Sequence, residues 1–309
     1  MHLVIPFAAP LSEAGRQAAT TLAWPTLQPL LAGWAEVDRD DADEWAWSPP
    51  HERALARALG LQGGAGRLPW AARQARADGI ETGNLAWGLL TPAHWHLGTD
   101  QVTLMDPAAL MLDQPASRAC FDAVQPLFTS EGFAMHYGAP LRWYLAHESL
   151  AELATASPDR VIGRNIDAWL GTAPAAQRLR RLQSEVQMLL YTHPLNDERE
   201  QRGLLPINSF WLSGCGVAQA ESGPLPLVDE RLRGPLLAED WAAWCKAWET
   251  LDAGPIAALR GAAQSGQQPA LTLCGERGWA RYEPARGGLW QRLRARLAPP
   301  TVLPILERL

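Results

Sequence analysis

The sequence predicts an α/β fold with a mainly parallel sheet and an inserted small α+β domain. Three observations carry that reading. Short apolar runs of strand length alternate with longer stretches whose apolar residues recur at helical spacing, an order that sets successive strands side by side and parallel. Between residues 94 and 147 the rhythm changes to strand, helix, strand, strand, a unit able to form its own small sheet. At 309 residues the chain also exceeds the usual size of one domain. The expected division is a core of residues 1–88 and 151–309 with an insert at 89–150.

Taken in order, HLVIPFAAP opens the fold as a buried strand, because a short apolar run ends in proline and small residues. In WPTLQPLLAGW, Pro25 and Thr26 start a helix that Gly33 stops. The acidic run 38–44 reads as an exposed turn. HERALARALGL, after Pro49 and Pro50, is amphipathic and ends in glycines, as a helix does. HWHLGTDQVTLM and GFAMHYGAPLRWYLAH are strand-like and flank the helix ASRACFDAVQPLFTSEG. DRVIGRNIDAWL leads into the helix AQRLRRLQSEVQMLLYTH. INSFWLSGCG is a strand ending in glycines. The helix EDWAAWCKAWETLDAGPIAALRGAAQ is broken or kinked at Gly254 and Pro255, and PALTLCGERGWARYEP is a buried strand with an exposed end. From residue 288 the chain reads as a basic amphipathic helix followed by a proline-broken tail.

Composition narrows the function classes. The hydrophobic fraction of 47% and charged fraction of 19% are those of a folded globular chain. With 27 basic against 33 acidic residues, the formal charge of -6 argues against nucleic acid as the main partner. The one basic concentration, Arg178, Arg180 and Arg181, alternates with leucines and reads as a solvated helix face. No run approaches ~18 uninterrupted apolar residues and the N-terminus has no positively charged start, so a cytoplasmic address without membrane attachment is expected. Cys120, Cys215, Cys245 and Cys274 lie far apart and read as reduced core thiols. The 15 tryptophans are the unusual feature of the composition. Trp241, Trp244 and Trp248 share one helical face, which is either core or a docking surface for a regulatory protein partner.

The most informative stretch is THPLNDEREQRGLLPINSFWLSGCG, residues 192–216. Its His193, Pro194, Asn196, Arg199, Gly203, Pro206 and Asn208, followed by Gly214 and Gly216, resemble a block in the archaeal-type cofactor-independent phosphoglycerate mutases of the alkaline phosphatase superfamily. LRWYL, DRVIGRNIDAWL, RLQSEVQMLLYTHPLNDER, INSFWLSGCG and LTLCGE resemble, over nearly the whole chain, the bacterial RpfE-type regulatory protein family. The resemblance implies an alkaline-phosphatase-like core with the small α+β insert.

Fold alone does not carry function. The chemistry of that superfamily needs two divalent cations, such as manganese or zinc, held by Asp and His beside a Ser or Thr nucleophile. Where the first strand is expected to end in a metal-binding Asp, this chain has VIPFAAP. Where a late strand is expected to end in Asp-His, it has Gly275, Glu276 and Arg277. The seven histidines, at 2, 51, 94, 96, 136, 147 and 193, supply no second cluster. No metal site is therefore expected. His94 and His96 fall on one face of a strand, as a metal pair would, but have no third ligand nearby in sequence.

The ligand-binding candidates are His193, Asn196, Arg199, Asn208, Cys215, Glu276 and Arg277. Arg199 could grip a carboxylate or phosphate with Asn196 orienting it, or the group could be a structural turn in which Pro194 ends a helix. Arg160, Arg164 and Asn165 carry the same two readings. Cys215 could be a reactive thiol at a strand end or an inert core one. Glu276 could act as a general acid or base but has no nucleophile partner in sequence. Residues 214–216 and 275–277 would converge if their strands are neighbours. Together these features point to a non-catalytic regulatory or ligand-sensing relative of the mutases, binding a small anion or a protein. An active mutase or phosphatase with a divergent metal site is the alternative.

Overall fold

The computed structural model describes residues 1–285 and 301–309. Its strands are β1 (His2–Ile5), β2 (Trp34–Asp41), β3 (Ala86–Ala93), β4 (Trp95–Leu97), β5 (Val102–Leu104), β6 (Ala134–Ala139), β7 (Arg142–Ala146), β8 (Ser209–Val217), β9 (Leu227–Val228), β10 (Ala270–Cys274) and β11 (Gly278–Pro284). The helices α1 to α6 are Glu13–Ala19, Leu27–Ala32, Pro50–Leu59, Trp70–Ala77, Gln114–Ser130 and Pro158–Val161. Helices α7 to α11 are Pro174–Tyr191, Pro194–Gln201, Arg233–Leu237, Trp241–Leu251 and Ala257–Gln264. Two compact units are present: residues 1–44, 49–60 and 222–309 in one, residues 45–48 and 61–221 in the other. These boundaries differ from the expected 1–88, 89–150 and 151–309.

The first unit holds a five-stranded sheet in the order β2-β11-β10-β1-β9. Strand β1 runs parallel to β9 and β10, whereas β10–β11 and β11–β2 are antiparallel. The expectation of a mainly parallel sheet is thus corrected to a mixed one. The reason is local. Residues 275–277 fold the chain straight back, with Gly275 N donating to Gly278 O at 2.9 Å, and the acidic run read as a turn supplies much of the edge strand β2. Carboxylates oppose strand pairing, but here they are neutralised along the edge: Arg57 Nε lies 2.6 Å from Asp38, Arg53 Nε 2.6 Å from Asp40 and Arg39 Nε 3.0 Å from Glu36.

Leu3 and Ile5 of β1 and Leu271 and Leu273 of β10 share a core with Trp244 and Trp248 of α10. Both tryptophans are fully buried and Trp241 is half-buried, so the face considered for docking is core. The break after α10 is a π-turn at Asp252–Ile256 containing Gly254 and Pro255. Its Asp252 caps α2, accepting from Thr26 N at 2.9 Å and Leu27 N at 2.7 Å, while Thr26 makes no side-chain cap. The basic helix expected from residue 288 falls largely outside the described residues. Val302–Leu306 is a short helix that buries Val302, Ile305 and Leu306 in the same core.

The second unit is built on an antiparallel sheet, β6-β7-β3-β8, with a separate hairpin β4–β5. Strand β3 crosses the expected boundary at residue 89 and pairs with β8, so residues 89–150 share a sheet with residues 209–217. Helices α5 and α7 bury Phe121, Phe128, Leu179 and Leu182 in one core, and α4 lays Ala71, Ala72 and Ala75 against Trp87 and Tyr144 in another. None of the described helices is long and apolar enough to cross a membrane.

Candidate functional site

Four of the seven candidate residues come together where α7 gives way to α8. The expected order is corrected in detail: α7 ends at Tyr191, and His193 opens the next helix as its N-cap, with Nδ1 accepting from Leu195 N at 3.2 Å. Pro194 fits the first helical turn because its missing N–H has no partner there to lose. Asn196 is 7% exposed. Its Nδ2 donates to Leu190 O at 2.9 Å and to Ile207 O at 2.8 Å, and its Oδ1 accepts from Ile207 N at 2.8 Å. Arg199, 2% exposed, donates from Nε to Leu205 O at 2.9 Å and from its guanidinium to Leu110 O at 2.5 Å. Burial lowers its pKa below the usual arginine value. Asn208 pairs with Trp95 in both directions, at 2.7 Å and 2.9 Å.

Each of these side chains bonds backbone groups of its own unit. The block is a clamp that joins the end of α7, the start of β8 and Leu110. These bonds are those of the structural turn, one of the two readings the sequence leaves open. Gly214 and Gly216 serve packing: Gly214 has φ +63°, and a Cβ there would lie 3.0 Å from Ala71 N, so glycine lets α4 close onto β8. Cys215 is fully buried inside β8, and burial pushes its thiol up to about 12, which removes it as a nucleophile near neutral pH.

Glu276 and Arg277 lie in the other unit. Strands β8 and β10 belong to different sheets, so the condition on which residues 214–216 and 275–277 are expected to converge, neighbouring strands, is not met. Glu276 Oε2 accepts from Leu11 N at 2.6 Å. Arg277 is exposed, its N donates to Leu309 O at 2.9 Å, and its O accepts from Arg53 at 2.8 Å. Past the end of β1, Phe7 adopts φ +58°, Ala8 N donates to Cys274 O at 2.7 Å, and the Phe7 ring lies 5.1 Å from that of His51.

Two divalent cations need clustered carboxylate oxygens or imidazoles. The ends of β1 and β10 offer instead Phe7, Ala8 and Cys274, whose thiol burial raises well above its usual range, with Glu276 engaged by backbone. Among the described residues no group of three or more His, Cys, Asp or Glu is arranged to hold a metal ion. The residues present do not fit a binuclear centre. His94 Nδ1 bonds Pro206 O at 2.9 Å and His96 is exposed on β4, so the two are not a ligand pair. Arg160 is buried, Asn165 Oδ1 accepts from Asp167 N at 3.1 Å, and the Arg164 guanidinium carbon lies 6.0 Å from the ring centroids of both Trp45 and Trp169.

A cavity of about 50 Å³, partly open to solvent, lies elsewhere in the second unit, lined among others by Leu153, Trp169, Arg180, Gln183, Phe210 and Trp211. Arg180 was read as one of three equivalent surface arginines, yet the three diverge. Arg178 and Arg181 both pair with Glu131, and Arg180 lines the cavity. The spacing of Ala176, Leu179, Arg180 and Gln183 places all four on one face of α7, the signal in the sequence that could have separated Arg180 from its neighbours.

No family model matches the chain. A probable 2,3-bisphosphoglycerate-independent phosphoglycerate mutase of Geobacter sulfurreducens is 25% identical over 118 residues, which is 38% of this chain and 30% of that relative. The match therefore spans less than a third of the relative's length. A cofactor-independent phosphoglycerate mutase from Thermoplasma acidophilum aligns over 93% of this chain and 90% of its own at 15% identity and TM-score 0.39. A Pyrococcus horikoshii protein aligns over 95% and 92% at 10% identity and TM-score 0.45.

Proposed function

We propose that this chain, distantly similar in sequence to phosphoglycerate mutases, is a non-catalytic ligand-sensing or regulatory protein of the RpfE type, whose alkaline-phosphatase-like core has lost its metal site. One observation carries the reading: the ends of β1 and β10 present Phe7, Ala8, Cys274 and a backbone-bonded Glu276 in place of clustered Asp and His. A hard cation placed there would lose its water without gaining enough oxygen ligands to replace it.

The test is turnover of 3-phosphoglycerate and of a chromogenic phosphate monoester by the purified full chain, after incubation with manganese or zinc and desalting, with metal content read by elemental mass spectrometry. The expected result is negligible retained metal and no turnover. Two retained metal ions per chain with metal-dependent turnover would establish the active-enzyme alternative.

A further inference from the structure

We infer that the seat of residues 301–309 on the first unit is a peptide-recognition groove that also takes the same segment from a second copy of the chain. The segment joins no sheet. Its Val302, Ile305, Leu306 and Leu309 are buried in the core they share with β1, β10 and α2, and their positions, three, four and seven residues after the first, are those of a helix laid by its apolar face in a groove. The helix Val302–Leu306 is too short to persist unaided, so the seat supplies its conformation.

Main-chain contacts fix the far end of the segment. Leu309 O accepts from Arg277 N at 2.9 Å and from Gly278 N at 2.6 Å, and Arg308 O accepts from Arg39 at 3.3 Å. Gly275 is the notch that receives Leu309. A Cβ at 275 would lie 2.6 Å from the Leu309 carbonyl carbon and 2.7 Å from its oxygen, and the three atoms nearest to it all belong to Leu309. Gly275 lies outside the left-handed region, so alanine closes the notch without straining the backbone.

None of these contacts depends on which copy supplies the segment. Within one copy, the chain is held at α2 on both sides of residues 286–300: Ala285 N donates to Gly33 O, where α2 ends, and Val302–Leu306 packs against α2. That six-residue helix measures about 9 Å. Fifteen connecting residues can reach up to about 50 Å, enough to exchange the segment between two copies. A local concentration on the order of millimolar favours the copy's own segment, so exchange is read where that contact is weakened.

Two complementary full-length variants test this. Gly275→Ala blocks the seat and leaves the segment intact, whereas Leu306→Ser with Leu309→Ser spoils the segment and leaves the seat intact. Each alone is expected to sediment as a monomer, and their equimolar mixture as a 1:1 complex well below millimolar concentration. A labelled peptide of residues 301–309 is expected to bind the segment variant about tenfold or more tightly than it binds the parent, whose own segment competes. Circular dichroism checks the fold of each variant, and Leu309→Ala replaces the doubly substituted chain if that one unfolds. Three results overturn the inference: no complex in the mixture of folded variants, no binding of the peptide to the segment variant, or a complex undiminished when Gly275→Ala is added to the segment variant.

Discussion

Replacing Asn196 by alanine tests whether the 193–208 block is a clamp or a ligand site. The side chain makes three hydrogen bonds of 2.8–2.9 Å while 7% exposed. The losses are unequal. Leu190 O also accepts from His193 N at 3.2 Å, so it keeps a partner. The Ile207 N–H has Asn196 Oδ1 as its acceptor and would be left buried and unpaired. An orphaned buried group costs about 1–3 kcal/mol, and the weakened carbonyls and lost packing bring the expected total to about 3 kcal/mol. For a unit of this size that corresponds to a melting temperature lower by roughly 6–12 °C. Asn196→Asp keeps the acceptor but loses both donations and buries a charge, so it should destabilise at least as much. Urea denaturation followed by circular dichroism reads both variants. If Asn196→Ala unfolded within about 0.5 kcal/mol of the parent, the clamp assignment would be refuted.

Other consequences can be checked in the same way. His2 is held neutral in the fold, its pKa lowered to about 4 chiefly by burial, with Arg281 adding to the effect. The unfolded chain takes up that proton near 6.5, so this contribution is complete above pH 6.5 and is lost as pH falls towards 4. After solvent screening it amounts to about 1–2 kcal/mol. His2→Gln, able to keep the bond to Thr272, should flatten that part of a stability–pH curve, and an unchanged slope would remove His2 as its source. Asp252→Ala uncaps α2 and should cost about 2 kcal/mol, with Asp252→Asn recovering part of it; equal stability of the two variants would contradict the cap. Gly214→Ala combines φ +63° with a 3.0 Å approach to Ala71 N and should cost about 1–3 kcal/mol in thermal unfolding, a loss that a neutral result would exclude. Cys120, Cys215 and Cys274 are buried and Cys245 is partly exposed, so thiol labelling of the native chain should modify Cys245 first and lose its rapid phase in Cys245→Ser.

Much of the fold was legible because its signals are local. Apolar runs marked β1, β8 and β10, helical spacing marked α3, α5 and α7, and Gly254 with Pro255 marked the π-turn. The pairing of strands was not legible, because hydrophobic pattern reports a buried face and leaves open which neighbour hydrogen-bonds to it. Strand β2 was missed for a related reason. Its carboxylates read as a turn until Arg53 and Arg57, from a different stretch of chain, are brought beside them. At the site, His193, Asn196 and Arg199 were grouped by sequence, with a ligand grip and a structural turn both left open. Sequence shows that polar groups lie close together, but only coordinates show that backbone atoms have already used them. Arg180 shares a basic run with Arg178 and Arg181, and the fold separates it from them by pairing those two with Glu131.

The strand order of the first unit bears on how a nascent chain acquires its structure. Strand β1 is synthesised before residues 61–221, yet among the described residues it pairs only with residues 227–228 and 270–273. An apolar HLVI segment must therefore remain without its sheet while the whole of residues 61–221 emerges, a stretch whose sheet draws on its own strands and can close first. Loop closure of that length makes formation of the first unit slow and late. Until those partners are made, β1 is open to chaperone capture or to mispairing with another copy.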